Sequence, residues 1–285
     1  MNKRITIIGL GLVGGSLAKL IRKRKLPVRL TGTSGHASTV RKALRRRMIH
    51  EGTMDLRKAV SGSDLVFICT PIRKIIPTLR KIALNLKPGA VITDVGSTKA
   101  QIVKEAEKIM PAGTYFVGGH PMAGTEHTGI DSSFAELFDG RPWILTVTRK
   151  TNRRALSGLE KFLKKLKIKV IKLSPEEQDV LVAGISHLPL AVSSSLVSTV
   201  AGERDKNKFA KVASSGFRDT TRIASGAPIL GADLFTTNRK AVLKMIGLFK
   251  RSLGRLEAKI RKGKSYAILR YLDNAKKFRD GIFPG

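Results

Sequence analysis

At 285 residues, 42% of them hydrophobic, the chain is long enough for two domains and ordinary in apolar content. Its single cysteine, Cys69, excludes an intramolecular disulfide and suits a reducing compartment. The formal charge of +33 raises nucleic acid or an acidic surface as a partner.

The distribution of that charge argues against a nucleic-acid partner. Basic clusters at Arg22–Lys25, Arg41–Arg47, Lys161–Lys169 and Lys276–Arg279 are spread over several predicted helices. Base-stacking aromatics are sparse among them. The field is read as a solvated exterior that also attracts anionic substrates and phosphate cofactors.

The chain begins with an apolar, β-branched run, Ile5–Ile8, predicted as a buried parallel strand. Gly9, Gly11 and Gly14 follow in a G-x-G-x-x-G spacing, with a helix predicted beyond them. Gly9 allows the tight turn, Gly11 lets a pyrophosphate approach the backbone, and Gly14 lets helix and strand pack closely. Leu12 and Val13 lie at the helix start, where free N–H groups attract phosphate. Read as a signal peptide, the segment fails: its glycines keep the dinucleotide pattern and Arg22–Lys25 follows at once.

Val28–Thr33 is a second predicted strand. Its end selects the cofactor in a dinucleotide fold, since an acid there binds the ribose hydroxyls of NAD and repels a 2′-phosphate. This chain has Ser34-Gly35-His36 and no acid until Glu51. NADP is therefore expected, with NAD as the alternative. A helix is expected over Ser38–Arg47, and a short helix or turn over Asp55–Ala59. Asp64–Thr70 is a third strand. Cys69 within it reads as core rather than nucleophile. Thr70 and Pro71 end it in a loop on the ligand edge of the sheet. A helix over Ile75–Leu84, a strand over Ala90–Val95, a helix over Lys99–Met110 and strands over Thr114–Val117, Pro142–Val147 and Lys169–Leu173 continue the alternation, with a basic helix at Asn152–Leu166. From Ser174 onward only helices are predicted, the longest over Arg239–Lys262, a candidate for dimer packing. The fold class is thus α/β, a doubly wound parallel sheet over residues 1–173, followed by an all-helical domain over 174–285. No uninterrupted apolar run reaches membrane-spanning length, so no membrane partner and a cytoplasmic location are expected.

Several residue types point to chemistry. His120, among glycines and beside Pro121, reads as an exposed imidazole suited to proton transfer. Ser97 lacks a nucleophile elbow and reads as a hydrogen-bonding group. His187, at an expected break between helices, is open between a site residue and a core histidine. Arg222, in the joint Ser214–Arg222, is open between a carboxylate clamp and a surface ion pair. No spacing suits a metal.

The stretches GLGLVGGSLA, ICTPI, ITDVGSTK, FVGGHPMAGTEHTGID, ISHLP and ASSGFRDTTRIASG together resemble the prephenate and arogenate dehydrogenases of tyrosine biosynthesis. The resemblance implies a homodimer and NAD- or NADP-dependent oxidative decarboxylation of a cyclohexadienol. It implies His120 as general base, Ser97 as a catalytic residue that hydrogen-bonds the ring hydroxyl and the nicotinamide side, and His187, Arg222, Thr125, Glu126 and Asp219 on the substrate side. Departures are Gln178, where many members have His, and Ser34, where many NAD users have Asp. Glu126 or Asp131 is a candidate to meet an arogenate ammonium. The rival readings are another β-hydroxyacid-type dehydrogenase, with Lys99 as its catalytic lysine, and a non-catalytic nucleotide- or polyanion-binding protein.

Overall fold

The computed structural model describes residues 3–125 and 127–283. Its first part runs β1 (Lys3–Ile8), α1 (Leu12–Lys23), β2 (Val28–Thr33), α2 (Ala37–Arg45), β3 (Glu51–Thr53), α3 (Leu56–Val60), β4 (Leu65–Ile68), α4 (Ile72–Ile82), β5 (Val91–Asp94), α5 (Ala100–Ile109) and β6 (Tyr115–Phe116). The strands form one six-stranded sheet in the order β3-β2-β1-β4-β5-β6, parallel throughout. Strand order reverses between β1 and β4, which places a ligand crevice at the carboxyl ends of these two strands.

Strand side chains alternate between two cores. Leu65 and Phe67 of β4 join Leu17, Leu20 and Ile21 of α1. Val66 and Ile68 join Ile75, Leu79 and Ile82 of α4 and Ile102 of α5. The sheet is therefore covered on both faces, which is why its strands read as continuous apolar runs. α3 starts where Asp55 accepts hydrogen bonds from the Arg57 and Lys58 N–H groups. Two expectations shift here. β3 is an unpredicted strand of three residues. Pro71 caps a helix that begins at Ile72, rather than opening a loop before Ile75; proline at a helix start loses no intrahelical bond.

The alternation predicted up to residue 173 does not stay in one sheet. β7 (Gly118–Pro121), β8 (Trp143–Thr146) and, after α6 (Arg153–Lys165), β9 (Val170–Leu173) form a separate three-stranded sheet. β7 is antiparallel to β8, and β9 parallel to it. Trp143 anchors this layer, fully buried against Phe67 and Phe138.

The remainder is helical: α7 (Pro175–Val182), a π-helical turn over Ala183–His187, α8 (Leu188–Ala201), α9 (Lys206–Val212), α10 (Ser215–Thr221), α11 (Pro228–Thr237), α12 (Arg239–Arg261) and α13 (Ser265–Ile282). Ser174 and Glu177 form a reciprocal capping box that opens α7. From Pro175 to Ala201 the helix is unbroken, 27 residues, so the expected break at His187 is instead a widened turn. By length and composition alone this helix could cross a membrane. Its apolar side is partly exposed, as is that of α12, and α13 buries no residue at all.

Candidate active site

The cofactor end begins at Gly9, whose φ of +97° L side chains rarely adopt. A methyl there would also lie 2.5 Å from the Cys69 carbonyl oxygen, because the ends of β1 and β4 touch. At Gly14 it would lie 2.0 Å from the Gly9 carbonyl oxygen. At Gly11 nothing lies within 4 Å. Two glycines thus close the turn and the third faces open space. α1 starts at Leu12 and Val13 with no side-chain cap and no acid in its first turn, so its N–H groups face outward with their dipole intact. The buried hydroxyls of Thr33 and Thr70 have no partner within the chain. This set fits a dinucleotide: an open phosphate seat, a helix N-terminus and hydroxyls awaiting bonds. Pro71, exposed, turns the chain away from the seat into α4. Ser34 at the end of β2 accepts a hydrogen bond from the His36 N–H at 3.4 Å. Glu51, the first acid beyond it, is already engaged by Arg29 at 2.8 Å and Thr31 at 3.1 Å. The Cys69 thiol is pushed far up by burial and by the Asp94 carboxylate, so it stays protonated.

The second half of the site is organised by Asp94 at the end of β5. Its Oδ2 accepts from the Gly96 N–H at 2.8 Å and from the Lys99 ammonium. Its Oδ1 accepts from the Gly119 N–H at 3.1 Å. Asp94 and Lys99 are both fully buried. One carboxylate therefore ties the loop carrying Ser97 to the strand carrying His120. The two glycines of β7 make room for this. A methyl at Gly118 would lie 2.3 Å from Thr146 Oγ1, and one at Gly119 would lie 2.6 Å from the Asp94 carbonyl oxygen.

His120 is consequently not the exposed loop residue expected. It sits inside β7, paired with Ile144 of β8, and is 8% exposed. Its Nδ1 is buried without a partner. Burial foremost, then the Lys99 ammonium and His187, push its pKa down to about 3. Ser97 is half-buried, and its carbonyl accepts from Gln178 Nε2 at 3.0 Å. The Asp179 carboxylate accepts from the Lys99 and Ala100 N–H groups at 2.6 and 3.0 Å, capping α5 from α7. His187, fully buried on the π turn, has its pKa lowered to about 4 by burial.

Next to this platform a cleft of about 710 Å³ is lined by Thr125, Ile185, Ser186, Arg222, Pro228 and Phe235, among others. It brings Thr125 and Arg222 together beside the π turn. His120 and Ser97 do not line it, but His187 follows directly on Ile185 and Ser186. Asp219 pairs with Arg218 at 3.1 Å. Glu126 lies outside the described residues. Asp131 is held by Lys42 and Arg46 at 2.6 and 2.8 Å, so an acid already neutralised twice is a poor partner for a substrate ammonium. Lys99, the base of the rival dehydrogenase reading, is sealed in its ion pair and cannot reach a substrate.

Residues 17–172 match the nucleotide-binding domain of prephenate dehydrogenase, and residues 174–274 match its dimerization domain. The chain belongs to the prephenate dehydrogenase family. It is 32% identical to the prephenate dehydrogenase of Bacillus subtilis over 284 residues, covering 99% of this chain and 76% of that protein. The crystal structure of Synechocystis arogenate dehydrogenase is 38% identical, with a TM-score of 0.87 over 98% of this chain and 99% of that one. That of A. aeolicus prephenate dehydrogenase, in complex with hydroxyphenyl propionate and NAD+, is 32% identical, with a TM-score of 0.92 over 99% of both chains.

Sequence reasoning assigned no role in the site to Asp94, Gln178, Asp179 or Asn238, although Gln178 stood out as a departure from the family pattern. The first could have been read from its spacing: an acid ending a strand, with a lysine five residues on, suits a buried pair at a sheet edge. The other three hold the site through contacts some 60 to 80 residues apart in sequence, which no local pattern carries.

Proposed function

We propose that this chain catalyses NAD(P)-dependent oxidative decarboxylation of prephenate or arogenate, with NADP preferred over NAD and two copies forming the active unit. The observation that carries it is the joining, through one buried carboxylate, of the Ser97 loop to the His120 strand, on the ligand edge of the dinucleotide fold. Gly9, Gly11, Gly14 and the N–H groups of Leu12 and Val13 would hold the pyrophosphate, with Thr70 and Pro71 at its flank. Ser34, with no free acid nearby, supports a 2′-phosphate. When bound, the nicotinamide supplies a hydride acceptor.

The chain's own residues do the rest. Neutral His120 takes the proton of the ring hydroxyl on a ring nitrogen. Ser97 orients that hydroxyl. As the carbinol becomes a carbonyl, the ring carboxylate can leave as carbon dioxide, and aromatisation makes the step downhill. Arg222 and Thr125, on the cleft wall, hold a substrate carboxylate, with His187 as a further contact. Asp219, on α10 just before Arg222, is the acid the family resemblance implies on this side. An anionic substrate beside His120 raises its low pKa toward the working range.

Steady-state kinetics with both cyclohexadienols against both cofactors tests the reading. Turnover of at least one, faster with NADP, is expected. His120→Asn should keep cofactor affinity and lose about 10²–10⁴-fold in kcat, as for a missing general base. Near-normal turnover of that variant would remove His120 from the mechanism. Turnover of small hydroxy acids alone would favour the rival dehydrogenase.

A further inference from the structure

We propose that Asn238 fixes the tautomer of His187, so that His187 presents its Nε2–H as a hydrogen-bond donor to a substrate oxygen. The substrate clause rests on the function proposed above; the tautomer itself does not.

Asn238 is 5% exposed and stands between α11 and α12. Its Nδ2 lies 2.7 Å from the Asp179 carbonyl oxygen and 3.3 Å from His187 Nδ1. A backbone carbonyl can only accept, so the amide must turn its NH₂ group toward Asp179. That settles which end of the amide is which. The NH₂ has two hydrogens and accepts nothing. Its second hydrogen therefore faces His187 Nδ1, which must offer a lone pair.

The consequence follows from imidazole chemistry. A neutral ring accepting at Nδ1 carries its proton on Nε2. An imidazolium would set a third N–H against the amide's own donors, and burial already disfavours that charge. His187 Nε2 is buried and has no partner within the chain. Buried N–H groups are rarely left unsatisfied in a finished structure. The two residues before it, Ile185 and Ser186, line the cleft that also holds Arg222. A ligand oxygen arriving there is the missing acceptor. Asn238 is thus a positioning residue, acting through His187.

The test uses the full chain labelled with ¹⁵N-histidine. The chain has five histidines, and His187→Gln identifies the resonances of interest by their loss. The wild-type spectrum near neutral pH should show His187 as the Nε2–H tautomer; an Nδ1–H tautomer or an imidazolium would overturn the proposal without any further variant. Asn238→Leu, close in shape and uncharged, removes the donor that faces Nδ1, and the Nε2–H form should then lose its dominance in the spectrum. The variant's KM for the cyclohexadienol should rise about tenfold, with kcat and the cofactor KM nearly unchanged. An unaltered tautomer and KM in that variant would equally overturn the assignment. Should the wild-type chain turn over neither cyclohexadienol, the functional reading fails while the tautomer measurement still decides the role of Asn238.

Discussion

Burial and the Lys99 ammonium act on His120 in one direction. Both disfavour its charged form, which takes the imidazole from its ordinary 6.5 to about 3. In the role proposed above the imidazole must start neutral, so kcat/KM should fall as pH drops through the low pKa of the ligand-free chain. The acid limb of kcat/KM for the free enzyme should therefore lie well below pH 6.5. Removing Lys99 alone would strand a buried carboxylate, which commonly costs about 3–5 kcal/mol. The pair Asp94→Asn with Lys99→Met removes the cation without stranding a charge, at the cost of one of the two backbone N–H bonds that the carboxylate accepts. Its acid limb should move to higher pH, read from a pH–rate profile, because only the desolvation and His187 contributions remain. A limb that does not move would show that Lys99 has no hold on the base.

Between β5 and β7 the packing leaves no room for a side chain. The Asp94 carbonyl and Thr93 Oγ1 both lie 2.6 Å from where a methyl at Gly119 would fall. Gly119→Ala must push β7 off the end of β5 and carry His120 with it. We expect a stability loss of about 1–3 kcal/mol by denaturant unfolding and a drop in kcat larger than the change in either KM. This seam also marks where sequence reading stopped. β1, α1 and β2 were legible because buried parallel strands and a glycine turn have local signatures. The helices after Ser174 were legible from the cap and their periodicity. β7 was not: a four-residue strand, Gly-Gly-His-Pro, has low β propensity and exists because Asp94 and β8 hold it. His120 read as an exposed loop residue, whereas the structure buries it, since its cover comes from elements distant in sequence. The π turn at His187 read as a break for a similar reason: Pro189 and the serines suggest an end, yet proline falls at the second residue of α8, where a widened turn absorbs its missing N–H.

For the molecule as a whole, the apolar surface is uneven. Leu243, Leu253 and Ile260 of α12 and Leu269, Leu272 and Phe278 of α13 are all exposed. Large apolar side chains left exposed in this number on two neighbouring helices suit a packing face, and the family match over residues 174–274 is to a dimerization domain. Leu269→Asp with Leu272→Asp should halve the mass measured by light scattering and lower the thermal midpoint. A variant that keeps the wild-type mass would move the interface elsewhere.

The π turn has one more implication. A turn of this kind holds one residue more than its neighbours, and a regular helix advances about 100° per residue. Everything from Leu188 onward is rotated by that surplus relative to α7. A chain one residue shorter between Ala183 and Ser186 would stay helical yet swing the imidazole off its amide and re-aim the outer face of α8 in the same stroke. The pairing of His187 with Asn238 and the facing of α8 are thus phased by a single count, and insertions or deletions here should be tolerated far less well than substitutions.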